Sequence, residues 1–381
     1  MKRFAITSAA LCLTLAFSAT RVSAQAPEGP MTPKPDTPVQ QPPPESLSKV
    51  KVRVTLVSTP VTVRNVKGDM VHNLDAADFT VTDNGVAQKI SHFDLGGDPI
   101  AVVILLETSV RVAPMLPAMR KTGIVFTQAV MGQTGEAAVV TFSDSVDKLQ
   151  DFTSSEDLIE GTIAHLDAGT SGTKLYDAMN VGVEMLSNRM QPTPDAPGKR
   201  RVLMVVSEAT DIGSSSRLGE VLRRAQLANV TIYSIGLSTI RSELQEPGKK
   251  TKIEATPPGI MGRPPLPGTV QTPTTEEQRD TGIDLMAAAV AIVQHVDNAV
   301  KNHALELATL ATGGAHLHTF KDRSIEKAID ELGGELHAQY AISYTPAGTN
   351  EFGYHEIKIN VDKKGLKVRA RPGYYIPAPG S

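Results

Sequence analysis

Residues 99–111 read Pro-Ile-Ala-Val-Val-Ile-Leu-Leu-Glu-Thr-Ser-Val-Arg, an apolar run that stops abruptly at a carboxylate and a hydroxyl. A continuous run of this length, rich in Val and Ile, is typical of a central parallel strand that is covered on both faces. Such a strand delivers the polar residues behind it to the carboxyl edge of the sheet, where open α/β sheets bind ligands. The run therefore predicts an α/β fold with a candidate site at Glu107 and Ser109.

From this run up to about residue 240, the sequence alternates strand and helix patterns. This order predicts an α/β fold with a doubly wound, mostly parallel sheet flanked by helices. Further strands are expected at 137–142, 201–206 and 230–235, and helices at 115–131, 156–166, 175–190 and 217–228. The pattern resumes with a long helix over 283–311, a strand over 315–320 and a helix over 324–337.

Both ends of this α/β region carry β patterns. Residues 79–90 predict a hairpin, because Asn84-Gly85 favours a type I′ turn. Three more strands are expected at 340–344, 355–361 and 366–370. These terminal strands look like a second β piece, which we expect to pair with the first one.

The predicted organisation has five parts. In chain order they are a signal peptide (1–24), a Pro-rich linker (25–48), a small β module (49–96), an α/β domain (97–345) interrupted by a Pro-rich insertion (246–280), and a C-terminal β segment (346–377). The insertion is long and carries no periodic pattern, as is typical of an exposed loop or a disordered segment.

The first 24 residues predict export. Lys2 and Arg3 precede an apolar stretch from Phe4 to Phe17, and Val22-Ser-Ala24 offers a small-residue cleavage site. The alternative, a membrane anchor, is disfavoured because the run is shorter than the roughly 20 residues that a spanning helix needs. We expect the protein in the periplasm, on the cell surface or outside the cell, with no membrane span in the mature chain.

Cysteine usage and charge exclude several function classes. The one cysteine, Cys12, lies within the predicted signal peptide, so the mature chain would have no disulfide, zinc thiolate site or cysteine nucleophile. The formal net charge is −3, and because the first 24 residues hold three basic and no acidic residues, it becomes −6 after cleavage. This balance disfavours nucleic-acid binding.

Several segments, taken in order, resemble the bacterial family of secreted von Willebrand factor type A (VWFA)-related proteins, best known from acidobacteria. They are residues 99–111, Pro60-Val-Thr-Val63, Asp78–Gln88, Gly172–Ala178, Arg201–Glu208 and Gly365–Tyr375. The resemblance extends from about residue 50 to 376. It implies a Rossmann-like type A domain with flanking β segments, and it implies no enzymatic activity.

The resemblance also implies a metal-ion-dependent adhesion site. In type A domains a divalent cation is held by the Asp and both Ser of a D-x-S-x-S pattern, a Thr and a second Asp, and a partner's carboxylate completes its shell. The D-x-S-x-S positions fall on Glu107, Ser109 and Arg111, the Thr on Thr173 and the last Asp on Glu208. Oxygen ligands of this kind suit magnesium in near-octahedral geometry.

Three of the five positions depart from the pattern. Glu107 and Glu208 are each one methylene longer than Asp, which a magnesium shell tolerates poorly and calcium tolerates better. Arg111 replaces a hydroxyl with a guanidinium that cannot lose its proton. The sharper hypothesis is that Arg111 takes the place of the metal and bridges the two glutamates. In the alternatives, Arg111 points outward and both glutamates are solvated, the site still binds Ca²⁺ or Mg²⁺ weakly, or a normal site is rebuilt with Asp211.

The sequence contains two other candidate sites. His316 and His318 alternate along a predicted strand and so face the same side, a spacing that two metal ligands could use. Two histidines with no third ligand nearby in the sequence are more typical of surface positions. Ser109 could suggest a hydrolase nucleophile, but no G-x-S-x-G pattern surrounds it and no histidine is close in the sequence.

These observations predict an exported, non-enzymatic protein-binding or scaffolding protein with a degenerate adhesion site, whose unidentified protein partner contacts the loops around Glu107, Thr173 and Glu208. The alternative is a structural envelope component that assembles through its flanking β segments, with an inert site. A third hypothesis, a hydrolase, requires Ser109 as the nucleophile.

Overall fold

The computed structural model describes residues 56–96, 99–189, 198–237, 285–295, 303–319, 324–347 and 352–376. The strands are β1 (Val57–Arg64), β2 (Phe79–Asp83), β3 (Val86–Gln88), β4 (Ile90–Leu95), β5 (Ile100–Glu107), β6 (Glu136–Phe142), β7 (Val146–Thr153), β8 (Arg200–Ser207), β9 (Val230–Leu237), β10 (His316–Thr319), β11 (Tyr340–Tyr344), β12 (Gly353–Val361), β13 (Lys367–Ala370) and β14 (Gly373–Ile376). The α-helices are α1 (Leu116–Met119), α2 (Gly123–Val125), α3 (Glu156–Ala164), α4 (Leu175–Ser187), α5 (Leu218–Leu227), α6 (Leu285–His295), α7 (Ala304–Thr312) and α8 (Ile325–His337).

Six of the described strands form one sheet in the order β10-β9-β8-β5-β6-β7. All neighbouring strands are parallel except β6 and β7, which run antiparallel. The fold class expected from the sequence is therefore confirmed.

The β5 strand explains why a continuous apolar run occupies the centre of this sheet. All eight of its residues are buried, because alternate side chains enter two different cores. Val103 and Leu105 pack in a core with α4, α5, α6 and α7. Val102 and Ile104 pack in a second core with α1, α3 and α8. Helices thus cover both faces of the sheet, as the unbroken hydrophobic run requires.

Two elements of this sheet region differ from the sequence expectation. β7 was not predicted, because it is an edge strand with mostly exposed side chains and no apolar pattern. The helix expected over 115–131 is interrupted: the Thr122 hydroxyl donates to the Met119 carbonyl oxygen, and Gly123 follows. Beyond this interruption, residues Phe126–Met131 form a π-helix.

The flanking β segments pair across nearly the whole length of the chain. In one four-stranded sheet β11 lies between β1 and β4, and β1 also pairs with β13. In the other, β12 lies between β2 and β14. The expected pairing of the two terminal β pieces is thus present, whereas the domain boundaries drawn from the sequence stay a prediction. Asn84 and Gly85 have φ values of 47° and 80°, as the predicted type I′ turn requires.

A buried carboxylate joins four of these flanking strands. Asp83, at the end of β2, accepts hydrogen bonds from the Tyr344 hydroxyl at 3.0 Å and the Tyr374 hydroxyl at 2.8 Å. His355 Nδ1 lies 3.0 Å from its other oxygen. Burial, followed by the proximity of Asp83, raises the pKa of the Tyr344 hydroxyl, so this group stays a donor. Asp83 therefore holds β11, β12 and β14 against β2.

Several expectations concern residues outside the described ranges: the signal peptide (1–24), the linker (25–48) and the insertion (246–280). The long helix expected over 283–311 corresponds to α6 and α7, and residues 296–302 between them also lie outside the described ranges. Among the helices that are described, none is long and apolar enough to cross a membrane.

Candidate functional site

The candidate site lies at the topological switch point of the six-stranded sheet. The chain leaves β5 towards β6 on one side and leaves β8 towards β9 on the other, although β5 and β8 are neighbours. A crevice opens at the carboxyl ends of such strands and is where ligands bind in open α/β sheets. Glu107 is the last residue of β5, and Glu208 directly follows β8.

Glu107 is fully buried, and both its carboxylate oxygens accept hydrogen bonds from the protein. Its Oε1 accepts the Ser109 hydroxyl at 2.6 Å. Its Oε2 accepts the Ser207 hydroxyl at 2.7 Å and the Glu208 backbone N–H at 2.8 Å. Burial raises the pKa of the Glu107 carboxyl, and these three hydrogen bonds offset part of that rise.

Arg111 and Glu208 form a bidentate ion pair. Arg111 Nε donates to Glu208 Oε2 at 3.0 Å, and Nη2 donates to Oε1 at 2.9 Å. The Arg111 side chain is 21% exposed and that of Glu208 is 5% exposed. The hydrogen bonds to Glu208 raise the pKa of the Arg111 guanidinium, so its charge is permanent. Nη2 also lies 3.4 Å from the Thr210 hydroxyl.

In the predicted bridge between the two glutamates, Arg111 therefore binds only one of them. Arg111 contacts Glu208, but the hydrogen bonds of Glu107 come from Ser109, Ser207 and the Glu208 backbone instead of from the guanidinium. The structure differs from the alternative in which Arg111 points outward and both glutamates are solvated. Neither glutamate side chain is exposed.

Three loops are joined by backbone hydrogen bonds into one surface around the ion pair. Val110 N donates to Thr170 O at 3.0 Å, and Thr173 and Ile212 exchange both of their backbone hydrogen bonds. Val110 and Ile212 are 51% and 49% exposed. The Thr173 hydroxyl, by contrast, is buried and has no hydrogen-bond partner among the described residues.

Asp211 is engaged with the start of α4. Its Oδ1 accepts the Tyr176 backbone N–H at 3.1 Å and the Ser214 hydroxyl at 2.6 Å. Asp177 makes similar contacts: its carboxylate accepts hydrogen bonds from the backbone N–H groups of Ser215 and Ser216. Both aspartates thus fix the loop after β8 against the helix that follows Thr173.

The arrangement does not fit a divalent cation. Magnesium and calcium bind through carboxylate and hydroxyl oxygens, and a fixed positive charge among these groups opposes a cation there. Both oxygens of Glu208 accept hydrogen bonds from Arg111, and both oxygens of Glu107 accept hydrogen bonds from other protein groups. The positive charge beside Glu208 is the guanidinium of Arg111.

Sequence reasoning missed two contributors to this site, Ser207 and Thr210. Ser207 is the residue at which the apolar run of β8 ends, so its place at the sheet edge could have been noted. Thr210 follows an Ala209 with a positive φ of 65°, a turn for which the sequence gives no signal.

The two histidines of β10 are placed together, as their alternation predicts. The structure also supplies a third group that was missed, Glu306 on α7, whose carboxylate lies beside both imidazoles. Glu306 precedes the histidines by ten and twelve residues, on the helix that leads into their strand.

Comparisons with known proteins found similar chains among solved structures. The sequence matches no protein-family model and no curated protein. Among solved structures, BatB from Bacteroides thetaiotaomicron is 11% identical over 62% of this chain and 98% of its own, with a TM-score of 0.37. The SpRpn10 VWA domain is 11% identical over 61% and 93%, with a TM-score of 0.36.

A third similar structure is proximal thread matrix protein 1 from the mussel byssus, described with a zinc-occupied MIDAS motif. It is 11% identical over 68% of this chain and 50% of its own, with a TM-score of 0.40.

Proposed function

We propose that this chain is an exported, non-enzymatic protein-binding or scaffolding protein, and that it uses the loops around Glu107, Thr173 and Glu208 without a metal ion. The bidentate pair between Arg111 and Glu208 is the observation that carries the proposal. It places a permanent positive charge at a position where the resemblance to type A domains implies a cation.

The guanidinium has a donor left for a partner. Its hydrogen bonds use Nε and Nη2, and Nη1 makes none among the described residues. An acidic side chain of a partner protein fits this donor, because carboxylates accept charge-assisted hydrogen bonds from arginine. The partner's carboxylate would thus meet Arg111 directly.

The surroundings favour a protein partner. Val110 and Ile212 are exposed on loops whose backbones are tied to the Thr170–Thr173 segment. Exposed apolar side chains beside an arginine suit a protein-binding surface, because such surfaces combine apolar and polar groups and are enriched in arginine. The loops are cross-linked by backbone hydrogen bonds, so the surface is rigid before a partner arrives, which lowers the entropic cost of binding.

The environment of Ser109 disfavours a hydrolase. Its side chain is fully buried and its hydroxyl donates to Glu107 Oε1. A serine nucleophile needs an accessible hydroxyl and a neighbouring base that is within reach of a substrate. Ser109 instead supports the carboxylate at the end of β5.

A titration tests the absence of a metal. The protein is titrated with Mg²⁺ and with Ca²⁺ beside the triple variant Arg111→Ser, Glu107→Asp, Glu208→Asp, which restores the pattern of the family. We expect heat of binding from the triple variant alone. Micromolar binding by the natural protein that is lost in Ser109→Ala would contradict the proposal.

A capture experiment tests the surface. The immobilised protein is incubated with envelope extract in EDTA, beside the variant Val110→Asp, Ile212→Asp. As a matched control, Val66→Asp changes a valine that is 78% exposed in the turn after β1. We expect one partner that the natural protein and the control retain in EDTA and that the double variant loses. Equal capture by all three proteins would show that binding uses another surface.

A further inference from the structure

A second cluster of polar side chains lies at the edge of the six-stranded sheet, on β10. His316 and His318 project from the same face of this strand, towards Glu306 on α7. His316 Nε2 lies 3.1 Å from His318 Nε2. Glu306 Oε1 lies 3.3 Å from His318 Nε2 and 4.0 Å from His316 Nε2. Three ligand atoms from two adjacent elements therefore converge on one point.

A hydrogen atom or a metal ion must lie between these three atoms. Each neutral imidazole presents a lone pair at its unprotonated nitrogen, and the carboxylate presents lone pairs only. Two imidazole nitrogens and a carboxylate oxygen at these distances repel one another unless a proton or a metal ion lies between them. A proton can serve two of the atoms at once, whereas a metal ion can serve all three.

The distances match a tetrahedral metal. With ligands at about 2.0–2.1 Å from zinc, two ligand atoms of a tetrahedron are about 3.3 Å apart. Two of the three separations here are within 0.2 Å of this value, and the third requires a small rotation of one side chain. The His318 side chain is 61% exposed, which leaves a route for an ion to enter and a place for a fourth ligand from solvent.

Hydrogen bonds with Ser234 and His303 orient two of the three proposed ligands. His316 Nδ1 lies 2.6 Å from the Ser234 hydroxyl on β9, which can accept its proton and leave Nε2 free to bind a metal. His303 Nδ1 is hydrogen-bonded to Oε2 of Glu306, the oxygen that faces away from the cluster. Such outer contacts orient ligands and fix the histidine tautomer in metal sites.

Gly236 makes room for the two imidazoles. It lies on β9 opposite His318, and a Cβ there would come within 2.9 Å of His318 Nδ1 and 3.1 Å of His316 Cε1. Both rings pack directly against the backbone of Gly236. A side chain at this position would push the rings out of their present geometry.

We propose that Glu306, His316 and His318 form a binding site for a divalent transition metal of the zinc class, with a fourth coordination position open to solvent. Imidazole nitrogen suits zinc and its neighbours in the first transition series, whereas magnesium and calcium select oxygen ligands. The site is separate from the Arg111–Glu208 ion pair: its ligands come from edge strand β10 and helix α7, and β9 lies between β10 and the strand that precedes Glu208. It does not depend on the proposed function.

Titration of the metal-free protein with Zn²⁺ tests the site, with Mg²⁺ as the negative probe. We expect one equivalent of Zn²⁺ to bind with micromolar affinity or better. The variant His316→Ala, His318→Ala should lose this equivalent. The matched control His72→Ala, His92→Ala removes two exposed histidines elsewhere and should retain it. Equal binding by both double variants would overturn the proposal, as would failure of the natural protein to bind Zn²⁺.

Milder variants keep the test valid if the double variant misfolds. Glu306→Gln preserves shape and should weaken binding at least tenfold. Ser234→Ala removes the contact behind His316, and Gly236→Ala displaces the two rings, although both variants keep the three ligand residues. Each should weaken binding by about tenfold, as is usual for contacts behind the ligands. Loading with Co²⁺ should give the visible absorption of a four-coordinate nitrogen and oxygen site, and Glu306→Gln should reduce it. Unchanged affinity in Glu306→Gln, Ser234→Ala and Gly236→Ala would contradict the proposed ligand set.

Discussion

The carboxylate of Glu107 accepts the backbone N–H of Glu208 at 2.8 Å, so the ends of two neighbouring strands are joined by a buried hydrogen bond. In a type A adhesion site, the resemblance implies that a shared cation joins these positions. In this chain the connection consists of hydrogen bonds and the ion pair of Glu208 with Arg111.

Replacing Glu107 with Gln should change how stability depends on pH. Because burial raises the pKa of Glu107 in the folded protein, that state binds more protons than the unfolded chain above the ordinary carboxyl pKa. The contribution of Glu107 is therefore full at acidic pH and is lost as the pH rises through the folded pKa. The free energy of unfolding of the natural protein, minus that of Glu107→Gln, should decrease between pH 4 and pH 7. Urea unfolding at both values measures it, and an increase would contradict the assignment.

Removing Arg111 should leave a buried carboxylate without its partner. We expect Arg111→Ala to lower the free energy of unfolding by about 2 kcal/mol, because Glu208 is only 5% exposed. Arg111→Ala combined with Glu208→Ala should recover part of this loss. Lys148→Ala, which breaks an ion pair exposed on both sides, should change stability by less than about 1 kcal/mol. Equal effects of Arg111→Ala and Lys148→Ala would show that the inner pair contributes no more than a surface pair.

Replacing Thr173 with Val should be tolerated. The Thr173 hydroxyl is buried without a partner among the described residues, so an isosteric methyl group removes an uncompensated polar atom. We expect unchanged stability or a gain of up to about 1 kcal/mol. Thr127→Val is the matched control, since the buried Thr127 hydroxyl bonds Glu160 and should cost about 1 kcal/mol. A larger loss at Thr173 than at Thr127 would mean that the hydroxyl binds a ligand in the folded protein.

Asp83→Ala should be strongly destabilising. It leaves the hydroxyls of Tyr344 and Tyr374 and the ring of His355 buried without their acceptor. We expect a loss of about 3 kcal/mol or more, compared with about 1 kcal/mol for Tyr374→Phe, which removes one donor and leaves the acceptor satisfied. Chemical denaturation of both variants measures the difference. A loss for Asp83→Ala no greater than that for Tyr374→Phe would contradict the network.

The parts of the fold that could be predicted from the sequence are those specified by local patterns. The run of β5, the turn at Asn84-Gly85 and the alternation of strands and helices are local properties, and the structure contains all of them. The strand β7 has exposed polar side chains and gives no hydrophobic signal. The interruption at Thr122 involves a side-chain hydroxyl that donates to the Met119 carbonyl oxygen, a contact that hydrophobic periodicity does not detect.

The candidate site was predictable in position but less so in detail. Strand ends brought Glu107, Arg111 and Glu208 together as expected, because parallel strands end at one edge of the sheet. The hydrogen-bond donors to Glu107 could not be predicted from the sequence, because the serines and the guanidinium all lie within reach of a carboxylate. Glu306 was missed for a related reason: its proximity to the histidines depends on how α7 packs over the sheet.

The pairing of β11 with β1 and β4 has a consequence for the newly made chain. Val57 is matched with Tyr344, a residue synthesised nearly three hundred positions later. Strands β1 and β4 therefore remain without this partner until β11 has been synthesised. Contacts between such distant residues close slowly, because a long loop loses entropy before any bond forms. The α/β layers can begin to assemble during translation, whereas the flanking sheets are completed only after β11 to β14 have been made.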